Sequence, residues 1–371
     1  MATIPVLILG AGRMGQRIAA MLGQDARFAP LLTARDTEAL ALAARAGLGT
    51  AALAGAGFRD DLGTLLARVR AVIMTDTDAA APEVAALARQ AGCHYLDILE
   101  SAASGDAVAA AAQDLPAASP SCFAPGCGLA PGYVTALVAE ALARAGPETE
   151  ITVFVGVLPD RPTNRLGYAN IWGVDGLIDE YTQPCNAIRN GALVSLPALT
   201  EAETVTLGGT RYEAFTTAGS LDALARRHAG RLGGLVFKTL RYPGHLDYMR
   251  FLLDDMGLAQ RLYQLRNLLT TALPHSEDDR VLIAIRSRPG PGSPEHWTGQ
   301  VLRARADRDG HNLSAISTAT AAHVCAMTDL ICTAGLERRG LIAPGDIGPA
   351  LLRRSPFFDL LGPARPAAGA D

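Results

Sequence analysis

The sequence predicts a two-domain α/β protein, in which a doubly wound parallel sheet precedes a second α/β domain with a mixed sheet. In the first part of the chain, short apolar runs alternate with longer Ala-rich amphipathic stretches, as is typical of successive βαβ units. Five glycine or proline residues interrupt this pattern within 125–132, and from residue 151 the chain is rich in strands. A chain of 371 residues, 49% of them hydrophobic, can bury a core in each of two domains.

Short apolar runs in the first part predict parallel strands at 6–9, 30–33, 71–74, 94–96 and 121–124. The amphipathic stretches between them predict helices at 16–22, 37–46, 80–91 and 106–112. Strands and crossover helices in this order indicate a doubly wound sheet, so residues 1–127 are assigned to the first domain.

The second part is predicted to contain strands at 151–157, 204–207, 212–215, 236–242, 281–286 and 297–304. Helices are predicted at 133–143, 174–181, 220–229, 246–255 and 258–270. Residues 128–310 form the second predicted domain. A long helix at 317–334 lies in a C-terminal segment, 311–361, that we expect to return to the first domain, and 362–371 is expected to be a flexible tail.

Composition excludes several functional classes. A net charge of -4 and scattered arginines give no general attraction for phosphate backbones, so nucleic acid is not an expected partner. No run of roughly 18 uninterrupted apolar residues indicates a membrane span, and a strand-like run follows Met1 without a charged leader, so we expect a cytoplasmic protein. Six widely spaced cysteines, without a C-x-x-C pair, predict reduced thiols and no metal site.

A glycine-rich motif follows the first predicted strand and opens the first predicted helix. It reads Gly10-Ala11-Gly12-Arg13-Met14-Gly15, and this strand–turn–helix context is the one in which G-x-G-x-x-G binds a dinucleotide. The glycines allow a tight turn and a close approach of the backbone to a pyrophosphate, whose charge meets the N–H groups of the helix N-terminus. Residues 1–127 are therefore predicted to be an NAD(P)-binding Rossmann domain.

The choice between NAD and NADP is made where the second strand ends, at Ala34-Arg35-Asp36. An acid there binds the ribose 2'-hydroxyl of NAD, whereas an arginine accommodates the 2'-phosphate of NADP. The apolar run of the strand stops before Asp36, which favours Arg35 at the strand tip and NADP as the cofactor. If the register of the second strand is shifted by one or two residues, Asp36 would instead bind the ribose of NAD.

Polar residues also follow two further strands of this domain. Thr75 and Asp76 come after the third strand and Asp97 comes after the fourth. Ligands of open α/β sheets lie at the carboxyl ends of the strands, so all three are predicted to lie along the cofactor.

Four segments of the second part resemble a known family. Asn164-Arg165-Leu166-Gly167-Tyr168, with Trp172 four residues later, resembles the N-x-L-G-Y-x-x-x-W stretch of saccharopine reductases. Phe237-Lys238-Thr239-Leu240-Arg241-Tyr242-Pro243-Gly244-His245 and Ile188-Arg189-Asn190-Gly191 resemble stretches of lysine 6-dehydrogenases. Gly128-Leu129-Ala130-Pro131-Gly132 is similar to the crossover shared by both branches. The chain from Met1 to about Leu361 thus resembles the saccharopine dehydrogenase-like family.

This resemblance implies an NAD(P)-dependent oxidoreductase that acts on CH-NH or CH-NH2 groups in lysine metabolism. In the lysine 6-dehydrogenase branch, the side-chain amine is oxidised to an imine, which hydrolyses to the semialdehyde. The alternatives are a saccharopine, opine or carboxynorspermidine-type reductase, which forms a secondary amine, and a non-catalytic NADP-sensing protein. The resemblance also implies that residues 128–310 bind a small amino-acid substrate and form a homodimer.

An amino-acid substrate carries a carboxylate, which an arginine can hold through two hydrogen bonds, so Arg241 is the candidate carboxylate clamp. An exposed arginine on a strand face is the alternative. Tyr168 and Trp172 are candidate walls for the aliphatic part of the substrate, with core packing as the alternative. Thr217 is a candidate hydroxyl donor to the carboxylate, and the crossover resemblance adds Gly128 to the substrate-binding candidates.

The catalytic candidates are Lys238, His245 and Tyr168. Lys238 is the only lysine among 33 Lys and Arg residues, and unlike arginine it offers a titratable amine for proton exchange. Its alternative role is an ion pair with an acid on a neighbouring strand. On a regular strand Lys238 and Arg241 point to opposite faces. His245 is a candidate proton acceptor near neutral pH, with an ordinary loop histidine as the alternative.

Overall fold

The structure is a computed structural model that describes residues 3–53, 57–115, 119–219, 221–306, 312–333, 336, 339–362 and 365–366. The chain divides into two compact units, the first made of Met1–Ala139 with Thr318–Gly362 and the second of Glu140–Ser317 with Pro363–Asp371. The division falls at 139/140 and 317/318, compared with the expected 127/128 and 310/311. Of the expected flexible tail, 363–364 and 367–371 lie outside the described residues, as do Ser220 and Ala334 at predicted helix ends.

The first unit contains a six-stranded parallel sheet in the order β16-β5-β4-β3-β1-β2. Its strands are β1 (Ile4–Leu9), β2 (Phe28–Thr33), β3 (Ala71–Met74), β4 (His94–Asp97), β5 (Cys122–Ala124) and β16 (Gly340–Leu341). The predicted Rossmann-like parallel sheet is thereby confirmed. The sixth strand was not predicted, because two residues are too few to form a recognisable pattern.

Helices cover this sheet, and the strands are apolar and almost entirely buried, as expected of a parallel sheet. The helices are α1 (Arg13–Leu22), α2 (Thr37–Arg45), α3 (Phe58–Leu66), α4 (Ala81–Ala91), α5 (Ala102–Gln113) and α6 (Tyr133–Leu142). Helix α3 is absent from the predicted elements because, of its aliphatic side chains, only Leu62 and Leu66 are buried, which is too weak a periodic signal.

Helix α11 (Ala315–Cys332) returns to the first unit from residue 318 onward, as predicted for the C-terminal helix. Its length and mean hydropathy of 1.3 would suffice to cross a membrane, but 78% of it is buried within the structure, as in the core helix of a folded protein. A short helix α12 (Pro349–Leu352) and a 3-10 turn (Pro356–Leu361) follow.

A mixed sheet of nine described strands forms the second unit, in the order β17-β13-β12-β6-β11-β10-β9, with β7 paired to β11 and β8 to β7. Only β6 and β11 run parallel to each other. The strands are β6 (Glu150–Pro159), β7 (Cys185–Arg189), β8 (Ala192–Leu196), β9 (Glu203–Leu207), β10 (Thr210–Thr216), β11 (Gly234–Arg241), β12 (Asp279–Arg288), β13 (His296–Arg303) and β17 (Arg365–Pro366). Strands β14 (Arg305–Ala306) and β15 (Asn312–Leu313) form a separate pair. This mixed sheet confirms the predicted class of the second unit.

The helices of the second unit are α7 (Val174–Thr182), α8 (Asp222–His228), α9 (His245–Arg250) and α10 (Leu262–Ala272). A π-helical turn (Phe251–Asp255) extends α9, and a 3-10 turn (Leu258–Gln260) precedes α10. Side chains of α7, α9 and α10 share one apolar core with β10 and β11, including Leu177, Met249, Leu265, Phe215 and Leu240.

The β7–β8 hairpin was not predicted, although its turn has a recognisable sequence. Asn190 and Gly191 have φ angles of 50° and 80°, the left-handed pair that a two-residue hairpin turn requires. An Asn-Gly pair is the strongest short-range signal for such a turn. The hairpin was missed because β7 and β8 alternate only weakly between buried and exposed residues, so their pattern does not predict strands.

A buried carboxylate secures the C-terminal segment to the first unit. Asp329 of α11 is 3% exposed and accepts hydrogen bonds from Arg27 Nη1 at 2.9 Å and Ser355 Oγ at 2.7 Å. Arg27 also binds the more exposed Asp25.

We expect Asp329→Ala to lower the free energy of unfolding by about 2–4 kcal/mol, because it leaves a buried hydroxyl and part of a guanidinium without a partner. Asp25→Ala, which removes the other carboxylate of the same arginine, is the matched control and should cost under about 1 kcal/mol. Urea denaturation of both variants measures the difference. Equal losses would show that Asp329 does not secure this segment.

Candidate functional site

Two of the three glycines in the turn after β1 are required by close packing. Gly10 has a φ of 122°, and a Cβ there would collide with the hydroxyl of Thr75. A Cβ on Gly15 would collide with the carbonyl of Gly10, so this glycine allows α1 to approach β1. Gly12 borders open space, since among the described residues no atom outside the adjacent backbone lies within 4 Å of where its Cβ would be. Thr75 stabilises the turn by donating to the carbonyl of Leu9 at 3.1 Å.

The N-terminus of α1 is open to an anion. Gly12 is its N-cap, and in this described part of the chain no side chain caps it and no acidic residue lies in the first turn. The unpaired N–H groups of a helix start carry a partial positive charge. Open space beside Gly12 and an uncapped helix start fit a pyrophosphate, as the G-x-G-x-x-G motif predicts.

Arg35 and Asp36 take different positions after β2, which ends at Thr33. Asp36 is the N-cap of α2, and its Oδ1 accepts from the backbone N–H groups of Glu38 and Ala39, both at 3.0 Å. Arg35 is exposed, and its guanidinium lies over the ring of Phe58 at 3.8 Å from the ring centroid. Ala34, which precedes them, is buried.

The remaining predicted cofactor residues differ in exposure. Arg13, Asp76 and, in part, Met14 and Thr75 reach the surface, whereas Asp97 is 1% exposed. Oδ1 of Asp97 accepts from Gly126 N at 2.7 Å and Leu99 N at 3.1 Å, and its carbonyl accepts from Cys127 N at 2.7 Å. Asp97 therefore organises the loop that follows β5. Gly128 continues this loop through its own backbone, with its carbonyl accepting from Tyr133 N at 3.0 Å.

In the second unit, Arg241 lies at the centre of a buried polar and aromatic cluster. It ends β11, is 2% exposed and donates from Nε to the hydroxyl of Tyr181 at 2.7 Å. Its Nη1 donates to the carbonyl of Leu240 at 3.0 Å, and its Nη2 lies 3.4 Å from Glu180 Oε2. The guanidinium also lies 5.0 Å from the ring centroid of Tyr168, close enough for a cation–π contact. The alternative of an exposed surface arginine is thus excluded.

Hydrogen bonds fix the tautomer of His245. Its Nδ1 is 2.8 Å from the carbonyl of Leu166, which can only accept, so Nδ1 carries the hydrogen. Its Nε2 is then the acceptor for the hydroxyl of Tyr181, at 2.8 Å. Burial, with the nearby Arg241 charge, lowers the pKa of His245 to about 3, and burial raises that of Tyr181, so both groups are neutral at pH 7. Because both ring nitrogens are occupied, this geometry fits a positioning role for His245.

Tyr168 and Trp172 join the same cluster. Trp172 Nε1 donates to the hydroxyl of Tyr168 at 3.1 Å, and the Tyr168 ring meets that of His245 edge-on at 5.6 Å. The Trp172 ring lies against Gly176 of α7, where a Cβ would collide with it. These two aromatic side chains form part of the wall of the Arg241 cluster.

Glu180 and Tyr181 are cluster residues that the sequence did not identify. The side chain of Glu180 is 17% exposed, and burial raises its pKa to about 7 against the opposing effect of Arg241. Periodicity identified α7 as a helix but does not distinguish a buried acid from an exposed one. The nearest signal was the adjacent pair of an acid and a tyrosine at the end of a predicted amphipathic helix.

Lys238 lies on the opposite face of β11 from Arg241, as predicted from their spacing, and belongs to a different network. It is 6% exposed, and its Nζ donates to Glu203 Oε1 and to the carbonyl of Glu201, both at 2.6 Å. Arg286 binds the other oxygen of Glu203 at 2.8 Å. These contacts fit the ion-pair alternative for Lys238. Thr217 is fully buried and shares a hydrogen bond with Thr239 at 2.8 Å.

The structure thus brings together four of the predicted substrate and catalytic residues, Tyr168, Trp172, Arg241 and His245. It does not bring Lys238 or Thr217 into their cluster, and Gly128 belongs to the first unit. Across the described residues, no group of three or more His, Cys, Asp or Glu side chains could hold a metal ion.

Comparison with known protein families agrees with this two-unit organisation. Residues 6–122 match the saccharopine dehydrogenase NADP binding domain, and residues 128–361 match the saccharopine dehydrogenase C-terminal domain. The chain belongs to the saccharopine dehydrogenase family. The resemblance seen in the sequence is therefore confirmed, and the chain is a member of an NAD(P)-binding oxidoreductase family.

Solved structures extend this comparison. The apo saccharopine dehydrogenase (L-Glu forming) of Saccharomyces cerevisiae is 16% identical, with a TM-score of 0.74 over 94% of this chain and 95% of that chain, so the two proteins share a fold. The DAP dehydrogenase of C. glutamicum in complex with DAP is 12% identical, with a TM-score of 0.48 over 97% and 98% of the two chains. An engineered D-amino acid dehydrogenase bound to NADP+ is also 12% identical, with a TM-score of 0.48 over 96% and 97%.

The raised pKa of Glu180 predicts a pH-dependent stability for this saccharopine dehydrogenase family member. The folded protein keeps this proton up to about pH 7, whereas the unfolded chain loses it near 4.5. The stabilisation is therefore complete below pH 4.5 and is lost as the pH rises through 7, at a cost of about 3 kcal/mol.

Glu180→Gln should remove this component. Urea denaturation at pH 5 and at pH 8 gives the free energy of unfolding of each protein. Between these two pH values, we expect the wild type to lose about 3 kcal/mol more than Glu180→Gln does. Glu38→Gln, which changes an exposed carboxyl, is the control and should behave as the wild type. An equal pH dependence in the wild type and Glu180→Gln would contradict the prediction.

Proposed function

We propose that this chain is an NADP-dependent amino-acid dehydrogenase that moves hydride between nicotinamide and the amine or imine carbon of lysine or a lysine-derived substrate. The observation that carries the proposal is the buried Arg241 cluster, which combines a carboxylate-binding cation with aromatic walls. Family membership supports the reaction class and the cofactor type.

The tip of β2 favours NADP over NAD. Arg35 is exposed and held in place over Phe58, so its charge is available to a 2'-phosphate. Asp36, the residue that would bind the ribose of NAD, already uses Oδ1 to cap α2. The nicotinamide of the bound cofactor supplies the hydride acceptor or donor at its C4. This chain contributes the glycine turn that holds the pyrophosphate and Arg35 as the partner of the phosphate.

Arg241 is the proposed partner of the substrate carboxylate. Its five N–H groups exceed the three hydrogen bonds that it forms here, and its bond to Glu180 is long, at 3.4 Å. Because burial raises the pKa of Glu180 to about 7, its carboxyl takes up a proton far more readily than an exposed acid does. A neutral Glu180 holds Arg241 only weakly, so a substrate carboxylate can take its place.

The aromatic residues complete this proposal. The rings of Tyr168, Tyr181 and Trp172 offer apolar faces to an aliphatic chain, while the Tyr181–His245 hydrogen bond holds Tyr181 in a single orientation. Lys238 has a structural role in this proposal, since its amine is already bound to Glu203.

We expect Arg35→Ala to raise the Michaelis constant for NADP at least about tenfold and that for NAD less than about twofold, because only NADP carries the 2'-phosphate. Steady-state kinetics with both cofactors measures this ratio. Arg45→Ala, which removes an exposed arginine of α2, is the control and should change neither constant. Equal effects of Arg35→Ala on both cofactors would refute the NADP assignment.

Substrate assays test the reaction itself. Lysine and related diamino acids with NADP should yield reduced cofactor, followed at 340 nm, and Arg241→Lys should raise the Michaelis constant of the amino acid far more than that of NADP. A reductase that forms a secondary amine would instead require three components together. These are NADPH, an aldehyde, and either glutamate or a diamine. Tight cofactor binding without turnover across the panel would indicate a non-catalytic NADP sensor.

A further inference from the structure

A small cavity lies in the first unit at the carboxyl ends of two neighbouring strands. Residues 125–127, directly after β5, and 342–345, directly after β16, line it together with His323 and Met327 of α11. Its volume of about 20 Å³ is sufficient for a group of about the size of a water molecule.

His323 and Cys127 are titratable residues of this cavity, and the hydrogen bonding of His323 is fixed on one side. His323 is 4% exposed, and its Nδ1 lies 2.9 Å from the carbonyl of Cys127, which can only accept. Nδ1 therefore carries the hydrogen, and Nε2 presents a lone pair. Burial lowers the pKa of His323 to about 4, so the ring is neutral at pH 7. Within the described part of the chain, Nε2 has no hydrogen-bond partner.

The position of the cavity along the sheet suggests which group enters it. Strands β2, β1, β3, β4 and β5 are adjacent in this order, so their ends span four strand spacings, about 19 Å. Arg35 lies after β2 and the glycine turn after β1, which are the proposed positions of the 2'-phosphate and the pyrophosphate. A dinucleotide laid along this edge has its nicotinamide end near β4 and β5.

We propose that His323 Nε2 accepts a hydrogen bond from the carboxamide N–H of the nicotinamide, whose NH2 group occupies this cavity. The inference rests on the proposed NADP-dependent function. A carboxamide NH2 matches the cavity in size and offers the donor that a neutral Nε2 requires. Anchoring the carboxamide fixes the rotation of the nicotinamide ring and hence the ring face from which hydride moves, so His323 is a positioning residue.

The 3-acetylpyridine analogue of NADP provides the test, because an acetyl group replaces the carboxamide and removes the N–H donor. Isothermal titration calorimetry gives the dissociation constants of NADP and of the analogue without any turnover. We expect the wild type to bind NADP about tenfold more tightly than the analogue, the size of effect expected for one buried hydrogen bond.

Two variants of His323 separate the two ring nitrogens. His323→Asn keeps an N–H where Nδ1 donates to Cys127 and removes the acceptor at Nε2, so it should lose the preference for NADP. His323→Gln can place a carbonyl oxygen near the position of Nε2, so it should retain most of the preference. Arg45→Ala, which removes an exposed arginine of α2 outside the cavity, is the control and should leave the preference unchanged.

Equal affinity of the wild type for both dinucleotides would overturn the proposal, and so would an undiminished preference for NADP in His323→Asn. Either result leaves the proposed NADP-dependent function intact. Failure of the wild type to bind NADP at all would refute that function as well. The two failures are therefore distinguishable.

Discussion

The second unit depends on the compensation of two buried cations on opposite faces of one strand. Strand β11 is buried along its whole length, yet it carries Lys238 on one face and Arg241 on the other. A buried charge is costly unless it is paired and hydrogen-bonded. Each cation accordingly has its own acid, Glu203 for Lys238 and Glu180 for Arg241, and the elements that carry these acids are held against the sheet.

The two pairs differ in a way that explains their different roles. Glu203 is shared by Lys238 and Arg286 through short bonds, which lower its pKa although burial raises it, so this acid remains ionised. Glu180 has one distant cationic partner, and burial dominates its pKa. An ionised acid that is bound tightly to two cations, as Glu203 is, suits a structural function. A weakly held acid beside a buried arginine, as Glu180 is beside Arg241, suits exchange with another carboxylate. This difference favours Arg241 over Lys238 as the residue that binds the substrate.

Local patterns in the sequence predicted much of the fold and the cofactor motif, because both depend on neighbouring residues. The apolar runs predicted five strands of the parallel sheet, and the order of strand, turn and helix predicted that Gly10, Gly12 and Gly15 bind a dinucleotide. The contact of Arg35 with Phe58 was not predictable, since it requires a helix with little periodic signal. The pairing of Arg241 with Glu180 and Tyr181 joins residues about 60 positions apart, and no local pattern encodes such a contact.

Lys238 has a further consequence for the chemistry of the molecular surface. Because it is the only lysine and is 6% exposed, the protein presents practically no side-chain amine to solvent. Acylating and reductive-alkylating reagents attack a free amine, whereas this one is buried and hydrogen-bonded to Glu203 and the carbonyl of Glu201. Reaction of its side-chain amine would therefore report the opening of the second unit, so that the residue serves as a natural chemical probe of local unfolding.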